Sequence, residues 1–302
     1  MQAIQFNTPI KAGTTLKLGL FSDIHYDSPD CDRETLKKHL DFCRKDGRYL
    51  LFGGDLFDAI LLRDAKRATN KNMEATDNQL NVKVNELADF LLPYRDQILF
   101  IGRGNHEESI LKYSGVDMLQ WLVQILNTGS KQKIQLGNYT NLLRFNFIDK
   151  RGRSILHYDI FQHHGMGSNA PQTKGMLDFS RLAKGMLVDL SWLGHKHNSI
   201  TDYSDPVMYI DARGEVKLKN RQFIQTPSYQ KGRTLDDHNI NFAERFYTHQ
   251  ALPGFGALDL TPHIENDNYV LNADLRTLIN PYAKVGELAS YKLQLVPKNR
   301  ER

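Results

Sequence analysis

Five short stretches of this 302-residue sequence gather carboxylates, imidazoles and an amide: Asp23-Ile24-His25, Gly53-Gly54-Asp55-Leu56-Phe57-Asp58, Gly104-Asn105-His106-Glu107, His163-His164 and Gly194-His195-Lys196-His197. In extended backbone, residues two apart point the same way, so Asp23 and His25 can grip one cation between them. Glycines ahead of Asp55 let the chain turn closely, and a carboxylate standing free there can serve two metals. The amide oxygen of Asn105 suits a divalent ion, and the imidazole of His106 suits proton transfer. His195 and His197, again two apart, offer two imidazoles on one side, and His163 or His164 a further nitrogen.

Each stretch follows an apolar, β-rich run: LKLGLF before Ser22, YLLF before Gly53, ILFI before Gly102, ILHYDIF before Gln162 and VDLSWL before Gly194. These runs predict buried strands. Helical spacing over Glu34 to Arg44, Val82 to Leu92 and Val116 to Asn127 fills the gaps between them, which predicts a layered α/β fold. Such sheets collect ligand groups beyond the carboxyl ends of their strands, where all five stretches fall. Between Ala59 and Asn78 the sequence turns polar and cationic, with Arg63, Lys66, Arg67 and Lys71, and predicts a long surface loop. From Val207 onward the runs VMYI, VKLK, RQFIQ and GALDL predict strands completing a sheet. The domain boundaries expected are 1–235 for the catalytic domain and 236–302 for a C-terminal extension packed on it, with a frayed basic end, VPKNRER.

Composition is that of a globular protein, 40% hydrophobic and 25% charged, and the net charge of +4 permits a phosphate-bearing partner without demanding one. The N-terminus lacks a basic start followed by an apolar stretch, and no apolar run approaches the roughly 18 residues of a membrane span. A soluble, cytoplasmic protein is expected. Cys31 and Cys43, read as lying on a helix between motifs, are too few for a disulfide framework and are expected to be reduced thiols. Oligomeric state is left open.

Taken in order, the five stretches resemble the motifs of the calcineurin-like metallophosphoesterase superfamily from about Leu16 to Asn198. The resemblance implies a four-layer αββα sandwich with two central mixed sheets and two divalent metal ions at the strand ends, manganese favoured and iron, zinc or nickel possible. Carried onto this sequence, Asp23, His25, Asp55 and His197 would hold one ion, and Asp55, Asn105, His163 and His195 the other. His163 is preferred over His164 because nucleases of the superfamily place this ligand two residues before a glycine, as His163 stands before Gly165; phosphoprotein phosphatases place theirs immediately before glycine, as His164 does. The Gly53–Asp58 stretch is most similar to the double-strand-break-repair nuclease and phosphodiesterase branch. Arg103 to Glu107 looks like the matching stretch of phosphoprotein phosphatases, but Asp58 is followed by Ala59-Ile60 where they carry a phosphate-clamping arginine. Thr226-Pro227-Ser228-Tyr229 looks like a degenerate form of the superfamily's late Pro-Gly-Ser turn.

The reaction implied is attack by water made nucleophilic by two cations held about 3.5–4 Å apart. His106 is free to protonate the leaving group, and Asp58 to orient it through a carboxylate–imidazole hydrogen bond. Arg103, His164, Arg63 and Arg67 are the expected substrate contacts. The expected activity is hydrolysis of nucleic acid or nucleotide phosphodiesters, with DNA or RNA as candidate partners; the alternative is a phosphomonoesterase or protein phosphatase.

Overall fold

The computed structural model describes residues 3–59, 79–167, 176–183, 185–211, 213–231 and 251–281. The apolar runs become the middle of two six-stranded sheets. One has the order β12-β11-β2-β3-β4-β5, with β2 (Leu16–Phe21), β3 (Tyr49–Phe52), β4 (Ile98–Ile101) and β5 (Gln135–Leu136) parallel, and β11 (Phe255–Glu265) and β12 (Asn268–Leu278) antiparallel. The other has the order β1-β6-β7-β8-β10-β9 and is also mixed: β1 (Ala3–Pro9), β6 (Thr140–Ile148), β7 (Ser154–His163), β8 (Leu190–Leu193), β9 (Ile200–Ile210) and β10 (Val216–Gln225).

Because side chains alternate along a strand, each apolar strand feeds two cores. Leu18, Leu20, Leu51 and Phe100 of the first sheet meet Phe145, Ile160, Trp192 and Ile224 of the second in the layer between them. Phe21, Leu50, Phe52 and Ile101 face outward into helices α1 (Arg33–Lys45), α2 (Gln79–Leu91) and α4 (Met118–Asn127). On the second sheet, α5 (Met176–Ala183) lays Phe179 against Leu193 and Phe223. The result is the four-layer αββα sandwich. Helix α1 shows how sequence makes such a layer: Asp32 caps it by accepting from the Thr35 N–H at 3.1 Å, and Leu36, His39, Leu40 and Cys43 form one buried stripe at helical spacing.

Several expectations change. Cys31 lies ahead of α1, paired in an isolated bridge with Gln230, and both cysteines are buried and unbridged. The runs VKLK and RQFIQ are one strand, β10, with a shift in its pairing to β9 between Arg221 and Phe223. Residues on the far side of position 235 build the first sheet: Gly256 to Leu260 of β11 pair directly with Leu20 to Leu16 of β2. The buried Arg48 donates to Asp259 of β11 at 2.6 Å and to the Leu18 carbonyl at 3.0 Å, tying that strand to α1 and β3. The loop bearing Arg63, Lys66, Arg67 and Lys71 lies outside the described residues, as does the VPKNRER end. Among the described residues no helix is long and apolar enough to cross a membrane.

Candidate metal centre

All five stretches come together at one edge of the sandwich, where the carboxyl ends of β2, β3, β4, β7 and β8 meet. The backbone there is not extended. Asp23, His25, Asp55, His195 and His197 have φ of 53°, 47°, 50°, 70° and 56°, in the left-handed region that costs a non-glycine residue roughly 1–2 kcal/mol. Asp23 and His25 therefore converge through a tight turn, contrary to the extended geometry expected of them. The turns are held by lacing between loops: the Asp23, His25 and Tyr26 N–H groups donate to the carbonyls of Gly54, Asp55 and Leu56 at 3.0, 3.0 and 2.8 Å. Gly104 has no room for a side chain, since a Cβ would lie 2.0 Å from Asp55 Oδ1.

Among the described residues, three groups of side chains present ligand atoms within 4.8 Å of one another: Asp23, His25 and His197; His25, Asp55 and His106; Asp55, His164 and His195. The donor chemistry fits divalent cations. His25 is 2% exposed, yet neither ring nitrogen makes a hydrogen bond, although Asp55 and Asp58 carboxylates stand 3.9 and 3.4 Å away. Asp55 Oδ2 lies 3.9 Å from His25 Nε2 and 3.0 Å from His164 Nε2, so it faces both outer groups. Asn105 brings its Oδ1 to 3.1 Å from His164 Nε2.

The two adjacent histidines, of which His163 is the expected ligand, are placed differently. Along β7, Ile160 packs between the sheets and the Gln162 amide donates to the Gly53 carbonyl at 3.0 Å; His164 continues that face, and its Nδ1 donates to the same carbonyl at 3.1 Å. His163 falls on the opposite face, near Phe161, with Nδ1 accepting from the Gly165 N–H at 2.9 Å. The structure thus groups His164, and not His163, with Asp55 and His195.

Backbone carbonyls orient two other rings in the same way, fixing which nitrogen is left for the site. His195 Nε2 donates to Gly167 O at 3.0 Å, leaving Nδ1, while His106 Nδ1 donates to Asp58 O at 2.7 Å, leaving Nε2. Asp58 meets His106 through two of its groups. It reaches His106 through its carbonyl, while its carboxylate lies 3.3 Å from His106 Nδ1 and 3.4 Å from His25 Nδ1. The Arg103 guanidinium donates in bidentate fashion to Asp117, the N-cap of α4, at 2.9 and 2.5 Å.

Electrostatics in the site follow from this crowding. Burial alone would lower His25 and His164, but the contact with Asp58 and the charges of Asp55, Asp58 and Asp23 raise His25 to about 9, and Asp55 with Asp23 raises His164 to about 10. Burial would raise Asp23, yet His197 and His164 hold it at about 2, and His164 and His106 hold Asp55 well below the carboxylate range. A divalent cation held among these groups would displace protons from the histidines.

Supporting roles were not assigned from the sequence. Glu107, 2% exposed, lies under the Asp55 loop; burial, reinforced by the Asp55 charge, raises its carboxyl. Asp27 accepts from the Ala59 N–H at 3.0 Å and from Lys83 of α2 at 2.7 Å. Ser228 Oγ and the Tyr229 N–H donate to the Asp23 carbonyl at 2.8 and 3.0 Å, so the Thr226–Tyr229 turn clamps the first ligand loop. Glutamate three residues after Gly104, opening a helix, was the signal available for Glu107.

Comparison with known proteins agrees with this construction. A family model described as calcineurin-like phosphoesterase matches residues 16–199. Among solved structures, the chain is similar to a metallophosphoesterase from Sphaerobacter thermophilus (11% identity, 86% of this chain and 88% of that one, TM-score 0.30). It is similar also to Vacuolar Protein Sorting 29 from Cryptosporidium parvum (11%, 88% and 99%, 0.34) and to GAP50, the anchor in the inner membrane complex of Plasmodium (12%, 87% and 84%, 0.43). At those scores the likenesses carry no weight for function. No curated protein matches.

Proposed function

The chain belongs to the calcineurin-like phosphoesterase family, and from that premise we propose that it is a two-metal phosphodiesterase acting on nucleic acid or nucleotide diesters. The observation that carries the reading is the position of Asp55 between two ligand groups, Asp23–His25–His197 on one side and His164–His195 with Asn105 on the other. When bound there, two divalent cations, manganese favoured, supply a nucleophile from water at neutral pH and neutralise charge on the phosphoryl oxygens.

The protein's own residues do the rest. Asp23, His25, Asp55 and His197 would hold one ion, and Asp55, Asn105, His164 and His195 the other. His106 keeps its Nδ1 proton on the Asp58 carbonyl and passes the Nε2 proton to the leaving oxygen, returning to the neutral ring. Preference for a diester is supported by the commitment of Arg103 to Asp117. A dianionic monoester needs more positive charge than a monoanionic diester, and that guanidinium is already paired. The test is hydrolysis of a diester and a monoester with matched leaving groups, in manganese, iron, zinc, nickel and magnesium. The diester should be faster; a faster monoester in every metal would assign the site to phosphomonoesters.

A further inference from the structure

We propose that Glu107 is the positioning residue that sets Asp55 in its shared place, an inference that rests on the two-metal reading. Its carboxylate accepts four backbone N–H groups: Gly104 at 2.9 Å, Asp55 at 3.2 Å, Leu56 at 2.6 Å and Phe57 at 3.0 Å. Three of these are consecutive, so the turn after β3 forms a small anion-receiving concavity, filled from beneath by a side chain of the same protein. The fourth donor is the N-cap of α3 (Asn105–Ser114), whose first turn carries Asn105 and His106. One carboxylate thereby fixes the loop of the shared ligand relative to the helix end that presents the next ligand and the proton donor. It acts with the bonds from Asp23, His25 and Tyr26 to hold Asp55 at φ 50°, a conformation unfavourable for aspartate on its own.

All four partners are donors, which makes the chemistry selective. A carboxylate satisfies them, whereas an isosteric amide presents its own N–H groups to at least one and leaves buried donors without acceptors. Glu107→Gln should therefore disturb Asp55 more than it disturbs the fold. Glu108, exposed on the same helix turn, provides a charge-matched control as Glu108→Gln.

The experiment is calorimetric titration of the metal-free full chain with Mn²⁺, with electron paramagnetic resonance of the loaded protein and circular dichroism of the metal-free protein. Wild type should bind two ions with the spin coupling of a bridged pair. Glu107→Gln should bind at least about tenfold more weakly, the range seen for residues supporting metal ligands, and lose the coupling. Glu108→Gln should match wild type. Should Glu107→Gln not fold, Glu107→Asp, which keeps the charge but is one methylene short of spanning both loops, should show the same loss in a folded protein. Unchanged Mn²⁺ affinity and coupling in a folded Glu107 variant overturns the proposal, as does equal weakening by Glu108→Gln. Failure of both Glu107 variants to fold overturns it too, by assigning the residue to stability alone. Failure of wild type to bind two ions would instead count against the two-metal reading.

Discussion

His39 and His25 are both 2% exposed, and they behave in opposite ways. His39 sits in the regular middle of α1, with Nδ1 against the Tyr229 hydroxyl at 2.8 Å and Nε2 donating to the Ile279 carbonyl at 3.0 Å. Its hydrogen bonds are complete with a single ring proton, and burial lowers it to about 4. His25 has strained backbone, no hydrogen bond on either nitrogen, and carboxylates around it that raise it to about 9. Burial is common to both; what separates them is unfilled coordination beside surplus negative charge. The first is an internal strut, the second a place prepared for a cation.

The strongest way to break this comparison is to remove the carboxylate shared by the prepared region. Asp55→Ala should lose both metals by elemental analysis after manganese loading and fall to background turnover; retention of two ions would mean that the site is not built around Asp55. Next in size is the choice between neighbouring rings. His164→Ala should bind one ion fewer, whereas His163→Ala, altering a ring that already accepts from Gly165, should keep both. The reverse stoichiometry would restore the original assignment of His163.

His106→Ala should keep both metals and lose roughly 10²–10⁴ in turnover, the range for one positioned acid, with a smaller loss for esters having an acidic leaving group. Metal loss proportional to activity would make His106 a ligand. Asp58→Asn should be milder, because the aligned bond to His106 comes from the main chain.

Proton linkage gives the smallest effect and the most direct contrast. His39 has a folded pKa below its unfolded value of 6.5, so the unfolded state binds more protons between about 6.5 and 4, and stability falls as pH drops through that window, by at most about 3 kcal/mol. In the metal-free protein His25 and His164 act oppositely. Their raised values add stability that is full below 6.5 and lost as pH rises through about 9 and 10. Urea unfolding in chelator across this range should show both slopes; His39→Gln should flatten only the acidic one, and manganese should abolish the alkaline one.

The sequence made the inner strands readable because β2, β3, β4 and β8 are buried on both faces and so run apolar without interruption. It was less informative where one face is wet. On β1 and β6, Asn146 donates to Gln5 and Asn7 at 3.1 and 3.0 Å across the strands, and those amides look like loop residues until the partner strand is known. The ligand set was readable from residue type and order, but its geometry was not, since the left-handed turns at Asp23, His25 and His197 depend on bonds to loops far along the chain. The His164 assignment was available from alternation along β7, where Leu156, Tyr158 and Ile160 mark the inner face. Spacing to a glycine was the weaker guide.

The position of β11 has a consequence for how the molecule comes into being. A strand made from residues 255–265 hydrogen-bonds to one made from residues 16–21. A chain emerging from the ribosome must carry β2 with one edge unpaired until most of the remainder has been synthesised. Contacts of such sequence separation are slow to form, and an open apolar edge is prone to join a neighbouring nascent chain. The clamp of Ser228 on Asp23 arrives almost as late. A chain cut short before β11 should therefore aggregate.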